Sequence, residues 1–339
     1  MNNFPSISII IPTLNAASVL EGCLRSIELQ DYPKELVEIV VADGGSTDRT
    51  LEIARNYGAK IYENPLKTGE AGKAAALRQA QGDLVALIDS DNILPQTDWF
   101  KRMVEPFSDS EIVGSEPWEY TWRSKDGFID RYCALMGMND PLCYFLGNYD
   151  RLNILSGKWT EVEVGQEDKG DWIKVTLTKK GLPTIGANGT LLRRSFLEEV
   201  EVGDYLFDID LLAEAVEKRG ELKFAKVKIG IVHLFCGGDI GKFARKQKRR
   251  LKDFLYHQKV GDRSYPWQKQ NKMGLVRFVL SCVTVLPLIY QSLKGYLRKP
   301  DAAWFFHPLA CWITLWVYGW GMVQGLFSKK EASREGWGQ

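Results

Sequence analysis

Two periods of hydrophobic and polar positions alternate along the first hundred residues. Short apolar runs rich in β-branched residues predict buried strands, and stretches with apolar positions three to four apart predict helices. The predicted strands are 6–11, 36–42, 60–62 and 83–88, and the predicted helices are 17–29, 47–57 and 71–81. Strands and helices that alternate through short links predict an α/β fold with a mostly parallel sheet.

The fourth predicted strand ends in two carboxylates, Asp89 and Asp91, one residue apart. The carboxyl ends of parallel strands meet at one sheet edge, where open α/β sheets bind ligands. Two carboxylates at this spacing can hold a divalent cation, and the cation can hold a diphosphate. The alternative is a strand that ends in a solvated acidic turn.

Polar residues also follow the first two strands, at 12–15 and 43–48. Asp43 is followed by two glycines, which let a ligand approach the backbone, although a glycine turn with a helix cap explains them equally. The chain lacks GxGxxG after its first strand and lacks GxxxxGK[ST] altogether, which excludes the dinucleotide and P-loop fingerprints. We predict a nucleotide pocket, with Asp43 at a base edge, Asp89 at a ribose and Asp91 at a metal.

Three ordered motifs carry a family resemblance. Ile-Ile-Pro-Thr-Leu-Asn at 10–15, Val-Val-Ala-Asp-Gly-Gly-Ser-Thr-Asp at 40–48 and Ile-Asp-Ser-Asp at 88–91 resemble the signatures of glycosyltransferase family 2. The resemblance covers roughly residues 5–250 and implies a GT-A (Rossmann-like) catalytic domain, an inverting reaction, a UDP- or GDP-linked sugar donor and Mg²⁺ or Mn²⁺. Gly44 departs from it, because the family often has a second aspartate there.

The pattern and the resemblance together give a set of predicted donor-binding residues: Pro12, Thr13, Asn15, Asp43, Lys73, Asp89, Ser90, Asn188, Arg245 and Arg249. For some of these a simpler role is open. Lys73 begins a helix and is open to solvation, and the glycines beside Asn188 are sufficient to turn the chain. The basic run 242–250 closes over the diphosphate, lies on anionic lipid headgroups, or does both.

The predicted base and metal ligands come from the same resemblance. Residues 203–212 are similar to the family segment that ends in ED-x-D-L, so Asp208 corresponds to the general base, with Phe207 in place of the preceding acid. An inverting transfer needs such a carboxylate to accept the acceptor proton, although acids at a helix start also suit the dipole. His233 follows a strand-like run and joins Asp91 as a predicted metal ligand, the alternative being a core histidine.

The carboxyl-terminal part resembles membrane sequence. Residues 302–327 contain no Asp, Glu, Lys or Arg and would be long enough as a helix for a hydrocarbon core of about 30 Å. A second apolar stretch, 273–293, is interrupted by Arg277 and Pro287. We predict either a hairpin or one interfacial helix followed by one span, and we expect a chain ending near Tyr265 to be more soluble. A buried hairpin in a soluble domain is the alternative.

Composition adds few constraints. The chain has 339 residues and a net charge of +1, which identifies no partner, and we expect none that is a nucleic acid. Its six scattered cysteines indicate reduced thiols and a cytoplasmic catalytic part. Pro12 breaks the first apolar run, which indicates a strand and not a signal peptide. We predict a catalytic domain at 1–235 with an acceptor-side insert at about 116–180, a basic linker at 236–268 and membrane-associated helices at 269–328.

The sequence thus predicts a membrane-bound, metal-dependent, inverting glycosyltransferase. Its acceptor would be a polyprenyl phosphate or a lipid-linked saccharide. Two alternatives stay open: a transferase or synthase that acts on a soluble glycan or polysaccharide, and a non-catalytic protein that binds sugar nucleotides at a membrane.

Overall fold

The computed structural model describes residues 4–200, 202–261, 263–265 and 271–327. They form two compact units. The first comprises residues 4–121 with Glu163–His233, and the second comprises Trp122–Val162 with residues 234–327.

The strands are β1 (Ile7–Thr13), β2 (Val37–Asp43), β3 (Lys60–Glu63), β4 (Leu84–Leu87), β5 (Asn92–Ile93), β6 (Ile112–Tyr120), β7 (Gly165–Asp168), β8 (Trp172–Thr178), β9 (Thr190–Arg193) and β10 (Glu221–His233). The helices are α1 (Ala17–Glu28), α2 (Thr50–Asn56), α3 (Gly69–Leu77), α4 (Trp99–Val104), α5 (Phe128–Met136), α6 (Leu142–Leu146), α7 (Arg194–Leu197), α8 (Asp208–Arg219), α9 (Ile240–Val260), α10 (Lys272–Thr284), α11 (Leu286–Arg298) and α12 (His307–Phe327).

The first unit is built on one large mixed sheet. Its strand order is β3-β2-β1-β4-β9-β6-β10-β8-β7, and β5 pairs with the end of β10. Strands β3, β2, β1 and β4 are parallel, β9 runs antiparallel between β4 and β6, and β10 is parallel to β6. All of β4 and most of β1 are buried, as expected of strands covered on both faces. The predicted α/β class with a mostly parallel sheet is confirmed.

Helix α3 packs closely on the carboxyl end of β1 through Gly72. A Cβ atom at this position would lie 2.7 Å from Cβ of Pro12 and 3.0 Å from Nδ2 of Asn64. Thr68 caps the helix, because its side chain accepts a hydrogen bond from the backbone N–H of Ala71. This close approach places α3, which carries Lys73, beside the sheet edge where the predicted site residues lie.

Aromatic packing forms the centre of the second unit. Phe306, in the 3-10 helix Ala302–Phe306, makes edge-to-face contacts with Phe128, Tyr132 and Phe243. Trp304 is fully buried in the same cluster. Helix α11 approaches Trp304 so closely that a Cβ atom on Gly295 would lie 2.4 Å from the indole. The carboxyl-terminal segment is therefore part of the core of this unit.

The predicted transmembrane helix at 302–327 is not supported. Its first five residues form the 3-10 helix, and the α-helix begins only at His307. Within the described ranges, no helix alone combines the length and the hydropathy that a membrane crossing needs. Helices α10 and α11 meet both requirements only as a pair, and the chain bends by 95° between them.

Candidate active site

The turn after β4 brings the two predicted metal ligands together. Asn92 closes this turn, because its Oδ1 accepts a hydrogen bond of 3.0 Å from the N–H of Asp89. The chain then enters β5, where Asn92 pairs with His233 at the end of β10. As a result, His233 Nε2 lies 3.5 Å from Asp91 Oδ1, with both side chains largely buried.

A carboxylate oxygen and an imidazole nitrogen suit Mn²⁺ and related divalent cations. Within the part of the chain that the structure describes, no three or more His, Cys, Asp or Glu side chains are grouped as a metal cage. Asp91 and His233 are thus two side chains that could hold a divalent cation, and metal binding by them stays a prediction.

A chain of polar side chains supports this pair from behind. The Asn92 amide donates to Asn188 Oδ1 at 3.0 Å, and the Asn188 amide donates to the Tyr120 hydroxyl at 3.1 Å. The Tyr120 ring lies 5.4 Å from the imidazole of His233. Asn188 was predicted as a site residue, whereas Asn92 and Tyr120 were not. Asn92 directly follows the acid pair, so its position was the available signal, but nothing in the sequence indicates Tyr120.

The predicted base lies in a second cluster of the same unit. Asp208 is the first residue of α8, and its carboxylate forms an ion pair with Lys73 of α3, at 2.9 Å from Oδ2 and 3.3 Å from Oδ1. Lys73 is 7% exposed at its side chain and Asp208 is 18% exposed. Lys73 was predicted to bind the donor, and in the structure its ammonium group is held by the predicted base.

Burial decides the protonation of this pair. Burial raises the pKa of Asp208 to about 6, with a further contribution from the charge of Asp89, and the Lys73 ammonium only partly offsets it. Burial alone would lower the pKa of Lys73, but the carboxylates of Asp208 and Asp89 reverse that effect and hold this pKa above its ordinary value. A lysine cation thus stands beside a carboxylate that is poised to accept a proton near neutral pH.

Asp43 holds the loop that follows β2. Its carboxylate accepts hydrogen bonds from the Thr13 hydroxyl at 2.8 Å and from the N–H groups of Gly45 and Ser46 at 2.9 and 2.7 Å. The Ser46 hydroxyl donates a fourth bond at 2.5 Å. A carboxylate offers about four acceptor positions, so this one is fully engaged. Base recognition by Asp43 stays a prediction, and the structure adds a loop-shaping role.

Asn15 joins the loops after β1 and β2. It adopts a φ of +49°, a left-handed conformation that asparagine tolerates better than most residues. Its Oδ1 accepts a 2.9 Å bond from the N–H of Thr47, and its own N–H donates to the Ser46 hydroxyl at 2.8 Å. Pro12 and Thr13 precede it, so these predicted donor residues share one cross-linked edge of the sheet.

The remaining predicted residues divide between the units. Asp89 and Ser90 are half-buried in the turn that contains Asp91. Arg245 and Arg249 belong to the second unit and are exposed on α9, where Arg245 lies 3.8 Å from Asp239. Donor binding by these two arginines stays a prediction.

Comparison with known proteins identifies the sequence family. Residues 8–129 match the family described as Glycosyl transferase family 2. Residues 8–129 are therefore a family 2 glycosyltransferase domain. This confirms the family that the motifs at 10–15, 40–48 and 88–91 indicated.

Curated relatives of the family 2 domain align with part of the chain. Glycosyltransferase AglE of Haloferax volcanii is 30% identical over 145 residues, which are 40% of this chain and 47% of the relative. A second relative, from Methanococcus voltae, is 33% identical over 118 residues, which are 33% of this chain and 36% of the relative. It is named dolichyl N-acetyl-alpha-D-glucosaminyl phosphate 3-beta-D-2,3-diacetamido-2,3-dideoxy-beta-D-glucuronosyltransferase. The chain thus spans less than half the length of these relatives.

One solved structure has a similar fold over nearly the whole chain. The mannosyltransferase PcManGT from Pyrobaculum calidifontis, in complex with GDP-Man and Mn²⁺, aligns with a TM-score of 0.51 and 17% identity over 97% of this chain and 89% of its own. This similarity supports the GT-A assignment of the fold.

Proposed function

We propose that this family 2 protein is a metal-dependent, inverting glycosyltransferase that moves a sugar from a UDP- or GDP-linked donor to a lipid-linked acceptor. The observation that carries the proposal is the buried carboxylate of Asp208, whose pKa is raised to about 6 and whose position is fixed by Lys73. Such a group has the protonation behaviour that a general base needs near neutral pH.

In the proposed reaction, Asp208 accepts the proton of the acceptor hydroxyl while that oxygen attacks the anomeric carbon from the side opposite the diphosphate. The C–O bond to the diphosphate breaks in the same displacement, and the configuration inverts. Lys73 keeps Asp208 oriented and stabilises its ionised form. Asp91 and His233 would hold Mg²⁺ or Mn²⁺, which would neutralise charge on the departing diphosphate.

The presence of a general base also indicates which class of acceptor the enzyme uses. A polyprenyl phosphate attacks through an oxygen that is already ionised at neutral pH, whereas a sugar hydroxyl must lose a proton. A positioned base therefore favours the hydroxyl of a lipid-linked saccharide over a polyprenyl phosphate. The name of the Methanococcus voltae relative, which describes transfer to a dolichyl-linked sugar phosphate, supports the same class of acceptor.

The proposed location is a membrane surface with the catalytic domain on the cytoplasmic side. All six cysteines are free, which suits a reducing compartment. In this arrangement, the proposed domains are a catalytic part at 1–235, a basic linker at 236–268 and a membrane-associated part at 269–328.

A screen of purified full-length protein tests the proposal. UDP- and GDP-linked sugars are each combined with a lipid-linked saccharide, a polyprenyl phosphate or a soluble oligosaccharide, with Mn²⁺ or with EDTA. We expect transfer to the lipid-linked saccharide in Mn²⁺ and a product of inverted configuration. Transfer only to the soluble oligosaccharide would overturn the proposal of a lipid-linked acceptor. Donor binding without transfer to any of the three acceptors would point to a non-catalytic protein.

A further inference from the structure

Helices α10 and α11 have their polarity inverted relative to a helix on a water-exposed surface. Their buried positions are mostly small or weakly polar, among them Gly274, Ser281, Ser292 and Gly295. Their outer positions are large and apolar: Met273, Leu280 and Val283 on α10 and Leu286, Tyr290 and Leu297 on α11 are between 57% and 82% exposed. Water would strongly disfavour such a continuous outer face.

The inner faces are fixed by tight packing, so the helices cannot turn the apolar side inwards. A Cβ atom at Gly274 would lie 2.2 Å from the Phe145 carbonyl oxygen, and one at Gly295 would lie 2.4 Å from the Trp304 indole. Only glycine permits these approaches. The exposed apolar faces of α10 and α11 are therefore built into the fold of the second unit and call for an apolar partner.

The exposed tryptophans of helix α12 indicate how this helix is oriented relative to an apolar partner. Trp312, Trp316 and Trp320 recur every four residues and are 47%, 70% and 56% exposed, and the last two rings stack with centroids 6.4 Å apart. Tryptophan prefers the boundary between lipid headgroups and acyl chains. A helix in the plane of the membrane keeps all three rings at that depth, whereas a spanning helix places Trp312 and Trp320 about 12 Å apart in depth.

The charged residues of these helices indicate what kind of apolar partner binds them. Residues 271–299 contain no Asp or Glu, and their charged residues are Lys272, Arg277, Lys294, Arg298 and Lys299. Helix α9 adds a basic run in which six of the nine residues 242–250 are Lys or Arg. A basic amphipathic surface complements anionic lipid headgroups, whereas two copies of it facing each other would repel.

We propose that α10, α11 and α12 bind in the plane of one leaflet of an anionic bilayer, with their exposed apolar side chains among the acyl chains and their basic side chains at the headgroups. This deepens the proposed membrane association, on which it rests, and it is independent of the transfer chemistry. The attachment would be monotopic, with the chain entering and leaving the same membrane face.

Binding to vesicles tests the surface without any substrate. Full-length protein is mixed with vesicles of phosphatidylcholine alone or with phosphatidylglycerol added, and bound protein is measured by flotation. We expect strong binding only to the anionic vesicles, and a loss of about tenfold for Leu297→Glu or Tyr290→Glu. Leu29→Glu, at an exposed leucine of the first unit, is the matched control and should bind normally. A lipid-free dimer that does not bind vesicles would overturn the proposal in favour of a second copy.

A depth measurement separates in-plane binding from spanning. Single cysteines at positions 312, 316 and 320, in a Cys143→Ser background, carry a fluorophore that is quenched by lipids labelled at known depths. In-plane binding gives three equal depths near the headgroups. Depths that change steadily across the three positions would overturn the monotopic arrangement. Because neither measurement uses a sugar donor, a failure here is distinct from a failure of the proposed transferase activity.

Discussion

Two charged residues of the first unit, Lys73 and Asp208, control the proposed chemistry. They are separated by 135 positions in sequence, yet the ammonium group and the carboxylate are 2.9 Å apart. Burial raises the pKa of Asp208 to about 6, so this carboxylate is ionised above pH 6 and becomes protonated below it. Activity that needs the ionised base is therefore retained above this pKa and lost as the pH falls through it.

Substitution Lys73→Met should move this limb of the pH profile. The lysine favours ionised Asp208, so without it the pKa of Asp208 rises and activity is lost at a higher pH than in the wild type. The measurement is kcat/KM against pH. Arg78→Gln, at an exposed position next to the same helix, is the control and should leave the profile unchanged. A Lys73→Met profile identical to that of the wild type would mean that the pair is purely structural.

Asp91 is the acidic residue predicted to bind the divalent cation. If Asp91 is a metal ligand, Asp91→Ala removes a negative charge from the cation, and we expect the affinity for the donor in Mn²⁺ to fall by more than about tenfold. Calorimetric titration of the donor at several Mn²⁺ concentrations measures this. Asp98→Ala, seven residues further on and exposed, is the matched control. Full activity of the wild-type enzyme in EDTA would show that the reaction does not need a metal ion.

At the scale of elements, the packing of α3 on β1 positions Lys73. Gly72→Ala would place a methyl group 2.7 Å from Pro12, so the helix must shift, and we expect a loss of about 1–3 kcal/mol in the free energy of unfolding. Transfer activity should fall with it because Lys73 is the next residue. Gly69→Ala, in the same helix with no atom within 4 Å, should be neutral or slightly stabilising. Chemical denaturation compares the two variants, and equal stability would show that α3 is free to move.

Sequence periodicity was sufficient to predict the parallel strands and the acidic residues at their carboxyl ends. The apolar runs before Asp43 and Asp89 are continuous, as buried parallel strands require, so the sheet edge could be predicted. Periodicity did not indicate the contact of His233 with Asp91, because that contact depends on β5, which is only two residues long. Only the family resemblance placed the two residues at one metal. The ion pair of Lys73 with Asp208 could not be predicted either, because the two residues are far apart in sequence and no local pattern joins them. Donor binding by Lys73 stays a prediction.

At the scale of the whole molecule, the carboxyl-terminal segment is not a removable tail. Ala303, Trp304 and Phe306 pack in one core with Tyr132 and Phe243. A chain ending near Tyr265 would leave that core open, so our expectation that it would be more soluble is not supported. A hydropathy pattern could not show this, since burial in a protein core and burial in lipid select similar residues.

Substitution Trp304→Ala tests this integration. The indole is fully buried and donates a 2.9 Å hydrogen bond to the Lys299 carbonyl, so we expect a loss of about 3–5 kcal/mol in the free energy of unfolding. Trp316→Ala removes a side chain that is 70% exposed and should change the stability by less than about 0.5 kcal/mol in detergent. Equal effects of the two substitutions on denaturant unfolding would contradict the burial of Trp304 in the core of the second unit.

Single-turnover transfer by full-length Asp208→Asn, with donor affinity measured in parallel, decides whether Asp208 is the general base. If Asp208 is the base, the rate falls about 10²–10⁴-fold while the dissociation constant of the donor changes little, because the lost interaction belongs to the transition state. Asp204→Asn, an exposed neighbour that is 76% exposed at its side chain, should retain the wild-type rate. Wild-type turnover by Asp208→Asn would exclude Asp208 as the base and make Asp210, a buried acid in the same first turn of α8, the next residue to test.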